Sequence, residues 1–218
     1  MVKCIVNNLS VDISLNHFGG VETLEFLESV DKDIKKNSLF KKSLILLKAW
    51  AYYESHILGA HSGLMSTYSL TVLLINVLLI NKLNLNTPLD ALKAFFEYYS
   101  SYDWSKPVEV PEIQYKKKVN DMPTLVMKYM NIIDPLRKNN NLGKSVSLTN
   151  FLRIKKAFVK GHKDLKRIIE GTESSEILTD FFKNTWRENK PDSRYFFSKI
   201  KIEKTLLSLS PKEIRDVT

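Results

Sequence analysis

The sequence predicts an α+β fold that is mostly α, with one β-hairpin followed by a bundle of helices. Two observations predict it: an alternating apolar pattern over residues 2–15, and helical spacing of apolar residues over most of the remaining chain. With 218 residues, 44% of them hydrophobic, the chain is long enough to bury a substantial core. We therefore expect a globular protein of one large or two small domains.

The hairpin is predicted at the start of the chain. Residues 2–6 and 9–15 read as strands joined by Asn7-Asn8, a pair that tolerates the positive φ values of a two-residue turn. Side chains alternate between the two faces of a strand, so the odd-numbered apolar residues of the second strand share one face. Asp12 therefore projects from the opposite, polar face.

Helices are predicted after the hairpin, because apolar residues recur there at intervals of three and four. Residues 64–80 are the most apolar stretch, but six Ser, Thr, Tyr and Asn side chains interrupt it, and it is slightly short for a membrane span. We expect it to be a buried central helix. Residues 103–120 are expected to form a long loop and residues 127–133 a short strand. The predicted helices cover residues 21–34, 39–55, 64–82, 148–170 and 174–188, with one more beginning at Pro88.

The charge of the chain points to a polyanionic partner. The formal net charge is +9 and the pI is near 9.4, which favours nucleic acid or nucleotide over an acidic protein. From Val110 to Glu170 there are 14 Lys or Arg residues against 5 Asp or Glu. This surplus of nine equals that of the whole chain, so we expect the partner surface to lie there.

Cysteine and histidine usage excludes several site classes. The single cysteine, Cys4, cannot form an intramolecular disulfide or a Cys-based zinc site, which fits a reducing compartment. The four histidines show no metal-ligand spacing. The N-terminal segment lacks the pattern of a secretory signal, so we expect a cytoplasmic or nuclear protein with no membrane partner.

Residues 134–147 read as a tightly specified loop. Three consecutive asparagines, residues 139–141, bond readily to their own backbone; Pro135 restricts one torsion, and Gly143 is expected to supply a positive φ. Side-chain amides suit the edge of a nucleobase, and neighbouring basic residues suit phosphate, namely Arg137, Lys138 and Lys144. On composition alone, a solvated Asn-rich turn is an equally good interpretation.

Four motifs in order resemble one family. They are VDISLN at residues 11–16, LILLKAW at 44–50, GLMSTY at 63–68, and a segment opening with DP and closing with GKS at 134–145. Together they resemble the non-conventional poly(A) polymerase and terminal uridylyltransferase family of the DNA polymerase β-like nucleotidyltransferase superfamily. The likeness covers roughly residues 2–190 and is greatest to plant and protist members with a PAP/OAS1 substrate-binding domain.

The resemblance implies a domain organisation and a reaction. Residues 1–18 would be the C-terminal remnant of the nucleotidyltransferase palm, residues 19–190 a helical PAP/OAS1-like domain, and residues 191–218 a tail. The complete enzyme would add AMP from ATP, or another NTP, to RNA 3′ ends. Asp12 matches the third of three carboxylates that hold Mg2+ or Mn2+ in the family. Two-metal phosphoryl transfer needs several carboxylates, so we expect a chain that begins partway through its catalytic domain and is inactive alone.

The resemblance also implies nucleotide-binding residues. Thr23 matches a hydroxyl near the sugar, Lys48 a lysine on the triphosphate, Thr67 a hydroxyl within reach of phosphate, and Tyr68 the aromatic on which the base stacks. From the residues alone, a snorkelling lysine is the better interpretation of Lys48, and core packing is the usual interpretation of an aromatic placed like Tyr68. The family often has a second lysine where this chain has Tyr52, which weakens the case for tight triphosphate binding.

The loop at residues 134–147 matches the family's nucleotide-recognition motif through four residues. Adenylating members commonly have Asn where this chain has Asn140, and uridine-preferring members commonly have His, so the resemblance implies ATP over UTP. Uridylyl transfer is the alternative within the enzyme class. The matching residues are Asp134, Asn139, Asn140 and Asn141.

Basic residues in two places are candidates for binding an RNA backbone. They are Lys116, Lys117 and Lys118 in the long loop, and seven residues on the helix that follows residue 147: Arg153, Lys155, Lys156, Lys160, Lys163, Lys166 and Arg167. A solvated basic face is an equally good interpretation of any one of them. The family also allows for an RNA-binding helper subunit. A different class of protein, a non-catalytic RNA- or protein-binding module derived from the family, remains open at this stage.

Overall fold

The computed structural model describes residues 2–6, 9–13, 15, 18–81, 84–111, 125–171 and 177–188. Strand β1 (Val2–Val6) pairs antiparallel with β2 (Leu9–Ile13), and Lys3 lies opposite Asp12. The predicted hairpin is therefore confirmed, although β2 ends two residues earlier than the pattern indicated. The predicted turn, Asn7-Asn8, lies outside the described residues.

Seven α-helices follow within the described ranges, so the mostly α fold class is confirmed. Two predicted helices are interrupted. The second continues past its α-helical part as a π-helical turn, Trp50–Glu54, and the last is broken at Phe182 into two short helices. The α-helices are α1 (Phe18–Ile34), α2 (Leu39–Ala49), α3 (Thr67–Ile80), α4 (Pro88–Ser100), α5 (Leu148–Gly171), α6 (Ile177–Phe181) and α7 (Lys183–Glu188).

Helix α3 is the centre of the core. Ten of its 14 residues are buried, which agrees with the continuous apolar run that predicted a central helix. It begins three residues later than the pattern indicated because the Ser66 side chain accepts a hydrogen bond from the Ser69 N–H at 3.0 Å and caps the helix there. No helix in the described part of the chain combines the length and the hydropathy needed to cross a bilayer.

Helices α4 and α5 pack closely through an aromatic cluster. Phe95, Tyr99, Trp104 and Phe158 contact one another at ring-centroid distances of 4.9 to 6.1 Å. Gly161 permits the approach, because a Cβ at that position would lie 2.7 Å from the Phe96 ring. The middle of α5 is thereby held against the core.

Helix α1 buries only its C-terminal half. Phe26, Val30 and Ile34 are buried, whereas Val21 and Leu24 are exposed, so the apolar spacing that predicted the helix overstated its buried face. The hairpin is similarly open to solvent, with Ile5 76% exposed.

The predicted strand over residues 127–133 is wrong. In its place two isolated bridges pair Val108 with Ile132 and Ile133 with Asn141. The side-chain amides of the loop that follows supply hydrogen bonds that a neighbouring strand would otherwise make, so no regular ladder forms.

Candidate functional site

The segment 134–147, which we call the Asn loop, is closed by its own backbone. The Asn140 N–H donates to the Arg137 carbonyl at 2.8 Å, and the Asp134 N–H donates to the Asn140 carbonyl at 3.0 Å. The Ser147 N–H donates to the Gly63 carbonyl at 3.1 Å. The loop is therefore a specified structure, as its composition predicted, and it is anchored just before α3.

Asn141 lies inside the loop and is 3% exposed. Its Oδ1 accepts from the N–H groups of Ile132 at 3.1 Å and Gly143 at 2.9 Å. Its Nδ2 donates to the Val126 carbonyl at 3.2 Å and to Asn131 Oδ1 at 2.8 Å. An amide has two donors and two acceptor sites, and all four are used. The Asn141 amide is thus fully engaged in holding the loop, and its contact with a nucleotide, which the resemblance implied, stays a prediction.

Gly143 is required for a different reason from the one the sequence suggested. Positive φ values occur at Gly59 and Gly63 but not at Gly143. Instead, a Cβ at Gly143 would lie 2.3 Å from the Met130 carbonyl oxygen. The glycine permits close backbone contact between the Asn loop and the segment that precedes it.

Four side chains form a hydrogen-bonded network at the surface of the Asn loop. The Asp134 carboxylate is 6% exposed and accepts from the Leu136 N–H at 3.0 Å, from Asn140 Nδ2 at 2.9 Å and from the Tyr68 hydroxyl at 3.4 Å. Lys144 Nζ donates to Asn140 Oδ1 at 3.0 Å. The loop thereby brings Asp134 and Asn140 together with Tyr68, which lies 66 residues before Asp134 in the sequence.

The network fixes the orientation of the Asn140 amide. A carboxylate can only accept hydrogen bonds and an ammonium can only donate, so Asp134 holds the nitrogen end and Lys144 the oxygen end. One N–H and one oxygen lone pair of Asn140 are left over. Asn139 is exposed and makes no hydrogen bond to any residue that the structure describes.

The N-terminus of α3 is tied to the same loop. The Ser69 hydroxyl donates to the Leu142 carbonyl at 2.9 Å and lies 2.6 Å from the Ser66 hydroxyl. Thr67, the first residue of the helix, is exposed, and Tyr68 is partly buried. The unpaired N–H groups of a helix start favour negative charge nearby, so Thr67 and Tyr68 stand where an anionic ligand would be stabilised.

The first turn of α1 also lies beside the Asn loop. The Arg137 guanidinium is 3.6 Å from the Glu22 carboxylate and close to Gly19. Thr23, one turn further along, donates its hydroxyl to the Gly19 carbonyl at 2.8 Å, which leaves its oxygen free to accept. Thr23 is thus brought near the loop through Arg137.

The remaining predicted residues do not join this group. Lys48 is exposed on the last turn of α2, and no hydrogen bond or ion pair links its ammonium to the described part of the chain. The backbone of Asp12 pairs with Lys3, but its side chain lies outside the described residues, as do Lys116, Lys117 and Lys118. Among the residues described, no group of three or more His, Cys, Asp or Glu side chains is placed to hold a metal ion.

Four of the seven basic residues predicted on α5 line one groove, whereas Lys155, Lys163 and Lys166 do not. Arg153, Lys156 and Lys160 are exposed along the helix. They border a groove of about 470 Å3 that α5 forms with the π-helical turn and with α6 and α7. We call it the α5 groove.

The sequence did not predict the positions of two residues in these sites. Lys144 was predicted only as a basic neighbour suited to phosphate, although its spacing of four residues from Asn140 signals contact across a turn. Lys183 lines the α5 groove together with Arg167, which was among the basic residues predicted on α5. Nothing in the sequence pairs α5 with α7, so Lys183 had no signal.

Comparison with known proteins supports the fold. A sequence profile for the PAP/OAS1 substrate-binding domain matches residues 34–111 and 106–186. A solved structure described as the structural basis for the activity of a cytoplasmic RNA terminal U-transferase matches with a TM-score of 0.51 at 16% identity, covering 79% of this chain and 65% of that one. The present chain thus spans slightly less than two thirds of that protein's length, and the likeness shows a shared fold. No curated protein matches the sequence significantly.

Proposed function

Because the chain belongs to the PAP/OAS1 substrate-binding domain family, we propose that it is the nucleotide- and RNA-recognising part of a terminal nucleotidyltransferase. The reaction of the complete enzyme would be the addition of AMP from ATP to RNA 3′ ends. One observation carries the proposal: Tyr68, Asp134 and Asn140 form a single hydrogen-bonded network at the start of α3.

The network supports recognition of a nucleobase. The N–H and the lone pair that Asn140 keeps free suit a bidentate contact with adenine, the pairing that asparagine commonly makes with that base. Tyr68 offers a ring for stacking, a contact worth about 1–3 kcal/mol per base. Asp134 is the positioning residue that links the two, because its carboxylate accepts from both side chains.

Two residues near the network support binding of the phosphates: Thr67 presents a hydroxyl at the helix start, and Lys144 holds a positive charge on the loop. Lys48, which has an exposed ammonium at the end of α2, is proposed as a third phosphate contact on the family resemblance alone. Thr23 is proposed to contact the sugar through its free oxygen lone pairs.

Asp12 is proposed to supply one carboxylate to a Mg2+ or Mn2+ site in the complete enzyme. The described residues of this chain do not by themselves fit such a site, since a two-metal centre needs several carboxylates. We therefore expect the 218-residue chain to show no primer extension. Extension by the purified chain would refute this part of the proposal.

The base preference is tested with Asn140→His. ATP and UTP are titrated into the 218-residue chain by calorimetry, with Asn139→His as the control because Asn139 lies outside the network. The wild type and the control are expected to favour ATP, and Asn140→His to lose or reverse that preference. An unchanged preference in Asn140→His would show that this amide does not read the base.

Uridylyl transfer is the second candidate, because the solved structure that shares the fold is of an RNA terminal U-transferase. An amide can also complement uracil, which offers both a donor and an acceptor. Tighter binding of UTP than of ATP by the wild type would favour this candidate.

A further inference from the structure

The α5 groove has a basic rim and an apolar floor. Five basic side chains line it, and four apolar residues lie between them. The basic residues are Arg153, Lys156, Lys160, Arg167 and Lys183; the apolar ones are Trp50, Ala157, Ile168 and Phe181.

Two of the three acidic residues in the groove are already paired. Lys160 forms an ion pair with Asp164 one helical turn away. The Glu54 carboxylate accepts from the Asn184 N–H at 3.2 Å and the Thr185 N–H at 2.7 Å, so it is held by the backbone of α7. Asp180 is the remaining acid.

Unlike Lys160, the other four basic side chains of the groove are available to bind an anionic ligand. Arg153, Lys156, Arg167 and Lys183 make no ion pair or hydrogen bond within the part of the chain that the structure describes. Like charges on one wall of a groove repel one another and raise the local concentration of an anionic ligand. The groove is therefore arranged for a polyanion.

The direction of α5 relates the groove to the Asn loop. The helix begins at Leu148, directly after the loop ends at Ser147, and its basic residues follow at increasing distance. At 1.5 Å per residue, Arg153 lies about 8 Å and Arg167 about 28 Å from the start of the helix. The basic stripe thus leads away from the proposed nucleotide site.

We propose that the α5 groove is a second site, which binds the sugar-phosphate backbone of single-stranded RNA several nucleotides upstream of the 3′ end. Single-stranded nucleic acid combines phosphates with base and sugar faces, which match the basic rim and the apolar floor. An acidic peptide would satisfy the rim and leave the floor unmatched. The inference rests on the proposed function only for the location of the 3′ end.

The chain offers a matched pair of triple variants on the same helix. Arg153→Ala/Lys156→Ala/Arg167→Ala removes three charges from the groove. A control, Lys155→Ala/Lys163→Ala/Lys166→Ala, removes three charges from residues that do not line it. All six side chains are exposed and alanine favours helix, so both variants are expected to fold, which a thermal melt checks.

Binding is measured by fluorescence anisotropy with a labelled oligoadenylate RNA of about 15 nucleotides, a length within the range that single-strand binding domains contact. The groove variant is expected to bind at least about tenfold more weakly than the control variant. Its plot of log affinity against log salt concentration should also be shallower by about 2, since each lost phosphate contact removes about 0.7 from the slope. Equal losses in the two variants, or none in either, would overturn the proposal.

Two further arms separate the outcomes. Polyglutamate of similar length is expected to bind weakly; binding as tight as that of the RNA, with the same loss in the groove variant, would refute the RNA assignment. ATP binding is expected to persist in the groove variant, and RNA binding to persist in Asn140→Ala. If Asn140→Ala loses ATP binding and keeps RNA binding, the nucleotide site is supported independently of the result for the α5 groove. The two proposals can therefore be refuted separately.

Discussion

The three consecutive asparagines of the Asn loop should respond differently to the same substitution. The structure places Asn139 at the surface, Asn140 in the network with Asp134 and Lys144, and Asn141 in the interior of the loop. Alanine at each position therefore separates three roles that the sequence alone presents as one run.

The stability loss expected at Asn141 depends on the buried N–H groups that would lose their hydrogen-bond acceptor. Asn141→Ala removes the acceptor of two buried N–H groups, those of Ile132 and Gly143. A buried donor left without a partner costs about 1–3 kcal/mol, so we expect a loss of about 3–4 kcal/mol in the free energy of unfolding. For a chain of this size that corresponds to a fall in Tm of about 10 °C.

The effect at Asn140 is on binding rather than on stability. Its partners are the Asp134 carboxylate and the exposed Lys144 ammonium, and water can replace the lost amide at this partly exposed position. We expect Asn140→Ala to change the free energy of unfolding by less than about 1 kcal/mol while weakening ATP binding. Asn139→Ala should change neither property.

The assays are calorimetric unfolding and ATP titration of the three variants. A small stability loss for Asn141→Ala, or one equal to that of Asn140→Ala, would refute the division of roles. Loss of ATP binding in Asn139→Ala would refute it as well.

Three further predictions concern the fold that supports the site. Gly143→Ala should destabilise the chain by more than about 3 kcal/mol and abolish ATP binding, because its Cβ would lie 2.3 Å from a backbone oxygen; Gly20→Ala, which meets nothing within 4 Å, is the control and should be neutral or stabilising in thermal melts. Ser43→Ala should leave Tm unchanged or raise it, because the Ser43 hydroxyl is buried and has no partner in the described structure; a fall of several degrees would reveal a hydrogen bond. Burial raises the pKa of Asp90, but hydrogen bonds from Thr87 and Asn86 outweigh it and hold that pKa below its usual value. This carboxylate therefore stabilises the fold above about pH 4, and the contribution is lost as the pH falls through its lowered pKa; Asp90→Asn should flatten that acid limb, and an unchanged limb would contradict the assignment.

The regular elements were predictable because their physical cause is local. The continuous apolar run of α3 predicted a buried helix, and Thr87 followed by Pro88 marked the start of α4, where a capping box forms with Asp90. The β-hairpin was predictable from the alternation of apolar and polar residues along its second strand. The start of α3 was missed although its cause is also local, because Ser66 caps the helix through the Ser69 N–H. The contact of that first turn with the Asn loop is tertiary, from the Ser69 hydroxyl to the Leu142 carbonyl, and no periodic pattern signals it.

The Asn loop shows where sequence reasoning stops. Composition predicted a specified loop, and the family resemblance drew attention to Asp134 and Asn140. It could not distinguish Asn140 from Asn141, because the difference lies in contacts with Asn131 and Val126. The composition of the loop also predicted the wrong role for Gly143, a positive φ. The glycine is needed for close contact with the Met130 backbone, which no local sequence pattern indicates.

The amide of Asn140 and the first turn of α3 are proposed to contact the nucleotide together. The most direct test follows side-chain and backbone amide resonances by NMR as ATP is added to the isotopically labelled 218-residue chain. The Asn140 side-chain amide and the Thr67 and Tyr68 backbone signals are expected to shift, with the Asn141 side-chain amide little changed. Saturating ATP that leaves the Asn140 and Tyr68 signals in place would contradict this proposal.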